Sequence, residues 1–331
     1  MAHRPRLSRP LAAVVTAAAA AVAVPGAAQA QSSVNLYGLV DMSVGSFQAP
    51  GADAVKGVES GKMTTSYYGL KGSEDLGSGL KANFAMEAFM RSDTGQQGRF
   101  NGDNYWARSA WVGLSGGYGS LNLGRNTTSL FVNTLIFNAF GDSFGFSPSI
   151  RGYFTSGTTT GDTGWSDSVK YSSPRFGGLS FTAHIAAGEA DGGKNGGVSA
   201  LYFGGPLALG FAWQSVSKGA TLANTKTWQL GASYDLKAAK FFGQYGNVDN
   251  DATGNSYDIT GLGVSAPVGA GSVLAQWGRI SPDFGNNRTT FSLGYDYFLS
   301  KRTDLYAVYM SDKISGLSSG TNYGVGIRHR F

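Results

Sequence analysis

Beyond residue 30 the chain never gathers the roughly 20 consecutive apolar residues that a helix needs to cross a bilayer. It carries instead a long series of segments in which apolar and polar residues alternate. In the first, Val34, Leu36, Gly38, Val40 and Met42 share one face, and Asn35, Tyr37, Leu39, Asp41 and Ser43 the other. Further on, Leu80, Ala82, Phe84, Met86, Ala88 and Met90 oppose Lys81, Asn83, Glu87 and Arg91. Trp228, Leu230, Ala232, Tyr234 and Leu236 oppose Thr227, Gln229, Ser233 and Asp235. Successive side chains of a strand point to opposite faces, so this period of two describes strands with one apolar face.

The connections between segments are alternately tight and long. Glu74–Gly79, Gly116–Gly119, Gly204–Pro206, Lys237-Ala238, Pro267–Gly271 and Ser300–Arg302 are short; Gly45–Gly61, Asp93–Asn104, Ser217–Asn224, Ser281–Asn287 and Lys313–Gly320 are longer. Short turns at one end and long loops at the other are the signature of a membrane barrel. The polar faces carry charges that a narrow soluble core could not bury, which turns the apolar faces toward lipid. Fifty glycines and 13% aromatic residues fit the same class. About sixteen segments, an even number, leave room for an aqueous lumen. The expected fold is all-β: a transmembrane antiparallel β-barrel of 16 strands, with no domain boundary and no helix.

The rhythm breaks once, between Arg125 and Lys170. A stretch of that length without alternation is a functional loop or a disordered one. At the amino end, Arg4, Arg6 and Arg9, the apolar run Leu11–Val24 and the Ala28-Gln29-Ala30 site read as a cleaved signal peptide over 1–30, so that the mature chain, 31–331, starts at Gln31. The whole chain has 26 basic and 21 acidic residues, and the three signal arginines account for most of the excess. That argues against a nucleic-acid partner, which needs a clustered basic face. The absence of cysteine excludes disulfides and thiolate chemistry, and the histidines are His3, His184 and His329, too few for a histidine metal site; no cofactor or metal is expected.

Several stretches resemble the general diffusion porins of Gram-negative outer membranes, specifically the beta-proteobacterial type. These are Ser33–Asp41, Tyr68–Ala82, Trp111–Ser115 with Leu123–Arg125, Asp167–Pro174 with Phe176–Gly178, Lys301–Tyr306, and the terminal Gly326–Phe331. They follow one another along the whole mature chain. The resemblance implies a sixteen-stranded barrel, usually a homotrimer, in the outer membrane, in contact with lipid and lipopolysaccharide. It implies that the third external loop, about 126–164, folds into the lumen. The terminal Phe331 is similar to the signal read by the outer-membrane barrel assembly machinery.

In such pores, charged side chains line a narrow passage and filter solutes. The family sets arginines on the wall against carboxylates on the inserted loop. By that resemblance Arg125, in Leu-Gly-Arg, and Arg108 are wall candidates, with pairing to nearby carboxylates as the competing role. Asp142, the sole carboxylate between Arg125 and Arg151, is the loop candidate, with a turn-capping role as its competitor. Alternation places Lys81, Glu87 and Arg91 together on the lumen face, as lining or as a structural ladder. His184 falls on the polar face as a solvated lumen residue. The chain departs from the family at Tyr67, where arginine is usual, at Asn138–Asp142, which lacks the loop's Pro-Glu, and at Gly164, unless Arg151 takes the place of the missing arginine. A tip flanked by Phe137, Phe140, Phe144 and Phe146 is expected to pack on the wall through aromatics.

The expected function is passive diffusion of small hydrophilic solutes and ions through a water-filled channel, with a weak anion preference. A substrate-specific channel is the alternative within transport. An adhesin or scaffold barrel that does not conduct is the alternative outside it. An enzyme is not expected, since no nucleophile motif lies near His184 or His329.

Overall fold

The computed structural model describes residues 33–189, 192–219 and 224–331, so the expected signal peptide lies outside them. The first half of the chain forms β1 (Ser33–Phe47), β2 (Val55–Ser60), β3 (Tyr67–Gly77), β4 (Leu80–Arg91), β5 (Gln96–Gln97), β6 (Ser109–Gly116) and β7 (Gly119–Thr127). Two helices follow, α1 (Ser129–Ile136) and α2 (Pro148–Phe154). Then come β8 (Gly164–Ser172), β9 (Leu179–Ala186), β10 (Asn195–Gly204), β11 (Leu207–Val216), β12 (Thr225–Asp235) and β13 (Lys240–Asn250). The wall is completed by β14 (Asn255–Val268), β15 (Gly271–Pro282), β16 (Arg288–Phe298), β17 (Thr303–Ile314) and β18 (Gly320–Arg330).

β5 is a two-residue annex of β4. β2 pairs with Met42–Phe47 and β3 with Ser33–Leu39, so the two are halves of one interrupted wall strand. The wall therefore has sixteen strands, each antiparallel to its neighbours, and it closes where β1 pairs with β18. At the seam Gly38 and Phe331 exchange both backbone hydrogen bonds, at 3.2 and 3.1 Å. The aromatic ring of Phe331 lies over Gly38, where a Cβ would stand 2.6 Å from it. The last residue thus latches onto the first strand.

The wall is inside-out relative to a soluble protein. Val34 exposes 65% of its surface and Leu36 64%, while Gln229, Ser292 and Asp312 expose 0%. In water each exposed apolar Å² costs about 25 cal/mol, and lipid removes that cost. Backbone polar groups are all paired around a closed barrel, which is what hydrocarbon demands. The alternating faces thus map onto lipid and lumen as the sequence pattern requires.

Two expectations need correction. The interrupted rhythm contains helices, α1 and α2, where none was expected. Their starts are marked in the sequence: the Thr128 hydroxyl accepts from Phe131 N–H, and Ser147, ahead of Pro148, accepts from Ile150 N–H. Each helix is only about two turns long, too short to show a readable period. The Gly45–Gly61 loop is also shorter than expected, because β1 and β2 extend as a hairpin over the residues on either side of 48–54.

Candidate functional site

The chain between β7 and β8 turns into the barrel and is held there. α1 lies against β10, β11 and β12, and α2 against β14, β15 and β16. The wall receives this loop through missing side chains. A Cβ at Gly231 would stand 2.2 Å from the Phe137 ring, and one at Gly210 2.3 Å from it. Phe137 is 1% exposed in the socket these glycines leave. Phe140 and Phe146 pack with Met63, Leu274, Tyr306, Val308 and Met310. Leu130 and Tyr153 pack with Ala212, Val248, Ile259 and Ile280. Of the four expected aromatic anchors, Phe144 alone stays partly exposed, beside Phe131.

Buried amides of the wall supply the polar half of the contact. Asn133 Nδ2 donates to Gln229 Oε1 at 2.7 Å, and Gln244 Nε2 to the Thr134 carbonyl at 2.6 Å. Gln276 Nε2 donates to Ser149 Oγ at 2.7 Å, and Ser292 Oγ to the Phe146 carbonyl at 2.6 Å. Each such bond contributes about 1 kcal/mol net, and more is lost if one partner is stranded.

The tip reaches the gap between β2 and β3. Asp41 holds that gap open: its carboxylate accepts from Met63 N–H at 2.7 Å, Thr64 N–H at 2.8 Å and the Tyr306 hydroxyl at 2.6 Å. The Lys62 carbonyl accepts from Gly145 N–H and from Ser143 Oγ. Thr64 Oγ1 donates to Asp142 Oδ1 at 3.1 Å, and Arg328 Nη1 reaches the same hydroxyl at 3.1 Å. Arg328 is itself fixed by Asp304, at 2.7 Å, and Asp296, at 2.5 Å.

The six candidate residues do not share one place. Arg108 and Glu87 pair beside β1, β3 and β4, and Asp142 stands at the loop tip on Thr64. Arg108 Nη1 pairs with Glu87 Oε2 at 2.6 Å and its guanidinium lies 3.9 Å over the Tyr67 ring. Tyr37 donates to Glu87 Oε1 at 2.5 Å, and the Tyr37 and Tyr67 rings meet edge to face. Tyr67 therefore stands where the family usually has arginine, and it serves as a platform for a different one.

Arg125 is elsewhere, at the root of the loop. Gly124 sits at a bulge with φ +125°, where a Cβ would be 2.3 Å from the Ala110 carbonyl. The extra residue of this bulge is on β8, where Asp167 has φ +53°, while Arg125 stays paired with Ala110 of β6. Its Nε donates to the Ala107 carbonyl at 2.6 Å, its Nη1 to Ser166 Oγ at 3.1 Å, and its Nη2 pairs with Asp162. Arg99, from the β4–β6 connection, clamps the same Asp162 through two bonds of 2.7 and 2.9 Å and also holds Asp103. Burial alone would push the Asp162 carboxyl up; Arg99, Arg125 and the Thr163 N–H outweigh it and hold the carboxyl below the usual range. Arg99 and Asp162 are not among the sequence candidates, since Arg99 lies in the β4–β6 connection and Asp162 beyond the stretch between Arg125 and Arg151. Arg151 does not take the place of the missing arginine before β8: it crosses to β17, pairing with buried Asp312, which Arg288 also holds.

Lys81, Glu87 and Arg91 share a face but not a location. Lys81 is exposed beside the short turn after β3, and Arg91 is at the long-loop end, bonded to the Gln97 carbonyl and Asn101. His184 is not solvated: it is 1% exposed and stacked on Trp165, with ring centroids 4.7 Å apart. Among the described residues no group of three His, Asp or Glu side chains could hold a metal ion.

A model of the Gram-negative porin family matches residues 17–317. The chain is 33% identical to outer membrane porin protein 32 of Delftia acidovorans, over 95% of this chain and 98% of that one. It is 30% identical to an outer membrane porin protein of Bordetella pertussis, with the same coverage. Among solved structures it is similar to an anion-selective porin from Comamonas acidovorans, with a TM-score of 0.79 and 28% identity, covering 91% of this chain and 100% of that one. An inside-out barrel of sixteen strands, a loop folded into its polar lumen and these relatives make the chain a member of the Gram-negative porin family, an outer-membrane channel protein and not an enzyme.

Proposed function

We propose that the protein is a general diffusion porin with a weak anion preference, whose passage is narrowed by residues 128–163 opposite Arg108. The observation that carries this reading is the charge balance of the lumen. Most carboxylates there are consumed by arginines: Glu87 by Arg108, Asp162 by Arg99 and Arg125, Asp312 by Arg151 and Arg288, Asp296 and Asp304 by Arg328. Among the described residues Lys71 and Lys170 have no carboxylate partner, and Lys170 instead donates to the Thr127 carbonyl at 2.8 Å. Asp142 and the buried Asp41 are carboxylates that no cation among the described residues pairs, while Asp312 faces two arginines. A modest positive surplus gives a modest anion preference, since selectivity here is electrostatics at close range. The Comamonas porin whose structure is similar is anion-selective, which supports the same reading.

In this reading Arg108, with Glu87 and Asp142, lines the narrow passage, while Arg125 anchors the loop. Lys81 and Arg91 stand toward the two mouths. The test is the reversal potential across a bilayer under a KCl gradient. The expected sign is that of a weakly anion-selective pore, and Arg108→Glu should move it toward cations. A cation-selective wild type, or no shift in the variant, would count against this assignment.

Family membership also supports three further proposals. Residues 1–30 are removed as a signal peptide. The barrel assembles as a homotrimer among lipid and lipopolysaccharide, and Phe331 is read by the barrel assembly machinery. Chemical cross-linking and removal of Phe331 address the last two.

A further inference from the structure

On the lumen wall below the Arg108–Glu87 pair lies a niche of about 470 Å³ that the diffusion function does not require. The strand register explains how it forms. One rung across β1, β3, β4 and β6 reads Asn35, Lys71, Ala85, Trp111. The next reads Tyr37, Gly69, Glu87, Ser109. Ala85, between Lys71 and Trp111, is too small to fill its place, so the larger side chains around it become walls. Gly69 likewise has no side chain, and a Cβ there would stand 2.8 Å from Glu87 Cγ.

The chemistry around the niche is specific. Tyr37 and Trp111 offer aromatic surface. The Lys71 ammonium lies 4.4 Å from the centre of the Tyr37 ring and is exposed, without a carboxylate partner among the described residues. The Tyr37 hydroxyl is already committed to Glu87. Asn83 is committed in part, donating to Ser115 Oγ at 2.9 Å. Glu87 is neutralised by Arg108. What is left for a visitor is the Lys71 cation beside two rings, with Asn35, Ser73 and Ser109 as neutral polar groups around them.

We propose that this niche is a solute-binding station for small aromatic carboxylates, with the carboxylate on Lys71 and the ring against Tyr37 and Trp111. This rests on the channel reading above. A volume in the range of small-ligand pockets suits one such molecule. A cation held at a ring face sets the carboxylate and the ring of the solute side by side, where each finds its complement. A neutral sugar would use the rings but leave Lys71 without a counter-charge, and a small aliphatic acid would use Lys71 but leave the rings bare.

The test is block of the KCl current through the purified protein in a planar bilayer by sodium benzoate, with acetate and benzyl alcohol as comparators. The expected result is block by benzoate at concentrations at least about tenfold lower than for either comparator. Lys71→Gln should weaken that block about tenfold and Trp111→Leu should weaken it too, while Lys71→Arg should retain it. All three variants should still open discrete KCl channels, which shows that they fold, and Lys71→Gln should also lose part of the anion preference, since Lys71 belongs to the positive surplus of the lumen. Equal block by benzoate and acetate, equal block by benzyl alcohol, or unchanged block in Lys71→Gln would overturn the proposal and leave the channel reading intact. Absence of any KCl current in the wild type would overturn both.

Discussion

The docking of the inserted loop can be tested through Phe137→Ala. Phe137 is 1% exposed, and its ring fills the socket made by Gly210 and Gly231. Truncating a buried phenylalanine to alanine costs about 3–5 kcal/mol. The barrel wall keeps its full backbone ladder, so the loss falls on the docked state of the loop. Taking about 3 kcal/mol, the ratio of released to docked loop rises more than a hundredfold, at 1.4 kcal/mol per factor of ten. The assay is single-channel recording at fixed voltage. The wild type should hold one steady level, and the variant should flicker to a higher conductance as the loop leaves the lumen. Phe137→Leu, which keeps most of the volume, should flicker far less. A variant with wild-type conductance and noise, together with wild-type heat stability of the barrel, would refute the claim that this socket holds the loop.

Other residues give independent checks. Asp312→Ala would strand Arg151 and Arg288 in a buried place and is expected to cost about 3–5 kcal/mol, read as a lower midpoint in thermal unfolding. Asp162 has a depressed carboxyl in the folded protein, so its clamp on Arg99 and Arg125 is intact above the unfolded-state value near 4 and is lost as pH falls through the depressed one. Current noise from loop motion should accordingly stay flat on acidification to about pH 4 and grow only below it, whereas Asp162→Asn should be noisy at neutral pH. Gly38→Leu puts a side chain where the Phe331 ring lies and is expected to reduce the yield of heat-resistant barrel on denaturing gels.

The wall was legible in the sequence because lipid and water impose opposite demands on alternate residues. Val34 and Asp41 announce their faces without any knowledge of their neighbours. The loop's location was legible as a break in that alternation, and its aromatic anchors as a cluster of phenylalanines. The glycines that receive them were not, because Gly210 and Gly231 look like any of the other glycines until the ring above them is in place. Arg108 pairs with Glu87, a carboxylate of the neighbouring strand, which is the competing role left open for it. Arg125 stands at the loop's root and pairs with Asp162, the competing role that its motif left open. Arg99 and Asp162 are 63 residues apart in the chain, and no periodicity links a β4–β6 connection to the far end of the inserted loop. His184 is buried for a similar reason: Trp165, which covers it, belongs to a strand start outside the alternating frame.

The central claim is a water-filled lumen narrowed by an inserted loop. Single-channel conductance of the purified protein in a planar bilayer tests it most directly, read as a function of KCl concentration. Discrete ohmic steps whose size grows in proportion to salt, with a small excess of anion current, are the expected result. Absence of steps, or steps that saturate at low salt as in a pore too tight for hydrated ions, would contradict it.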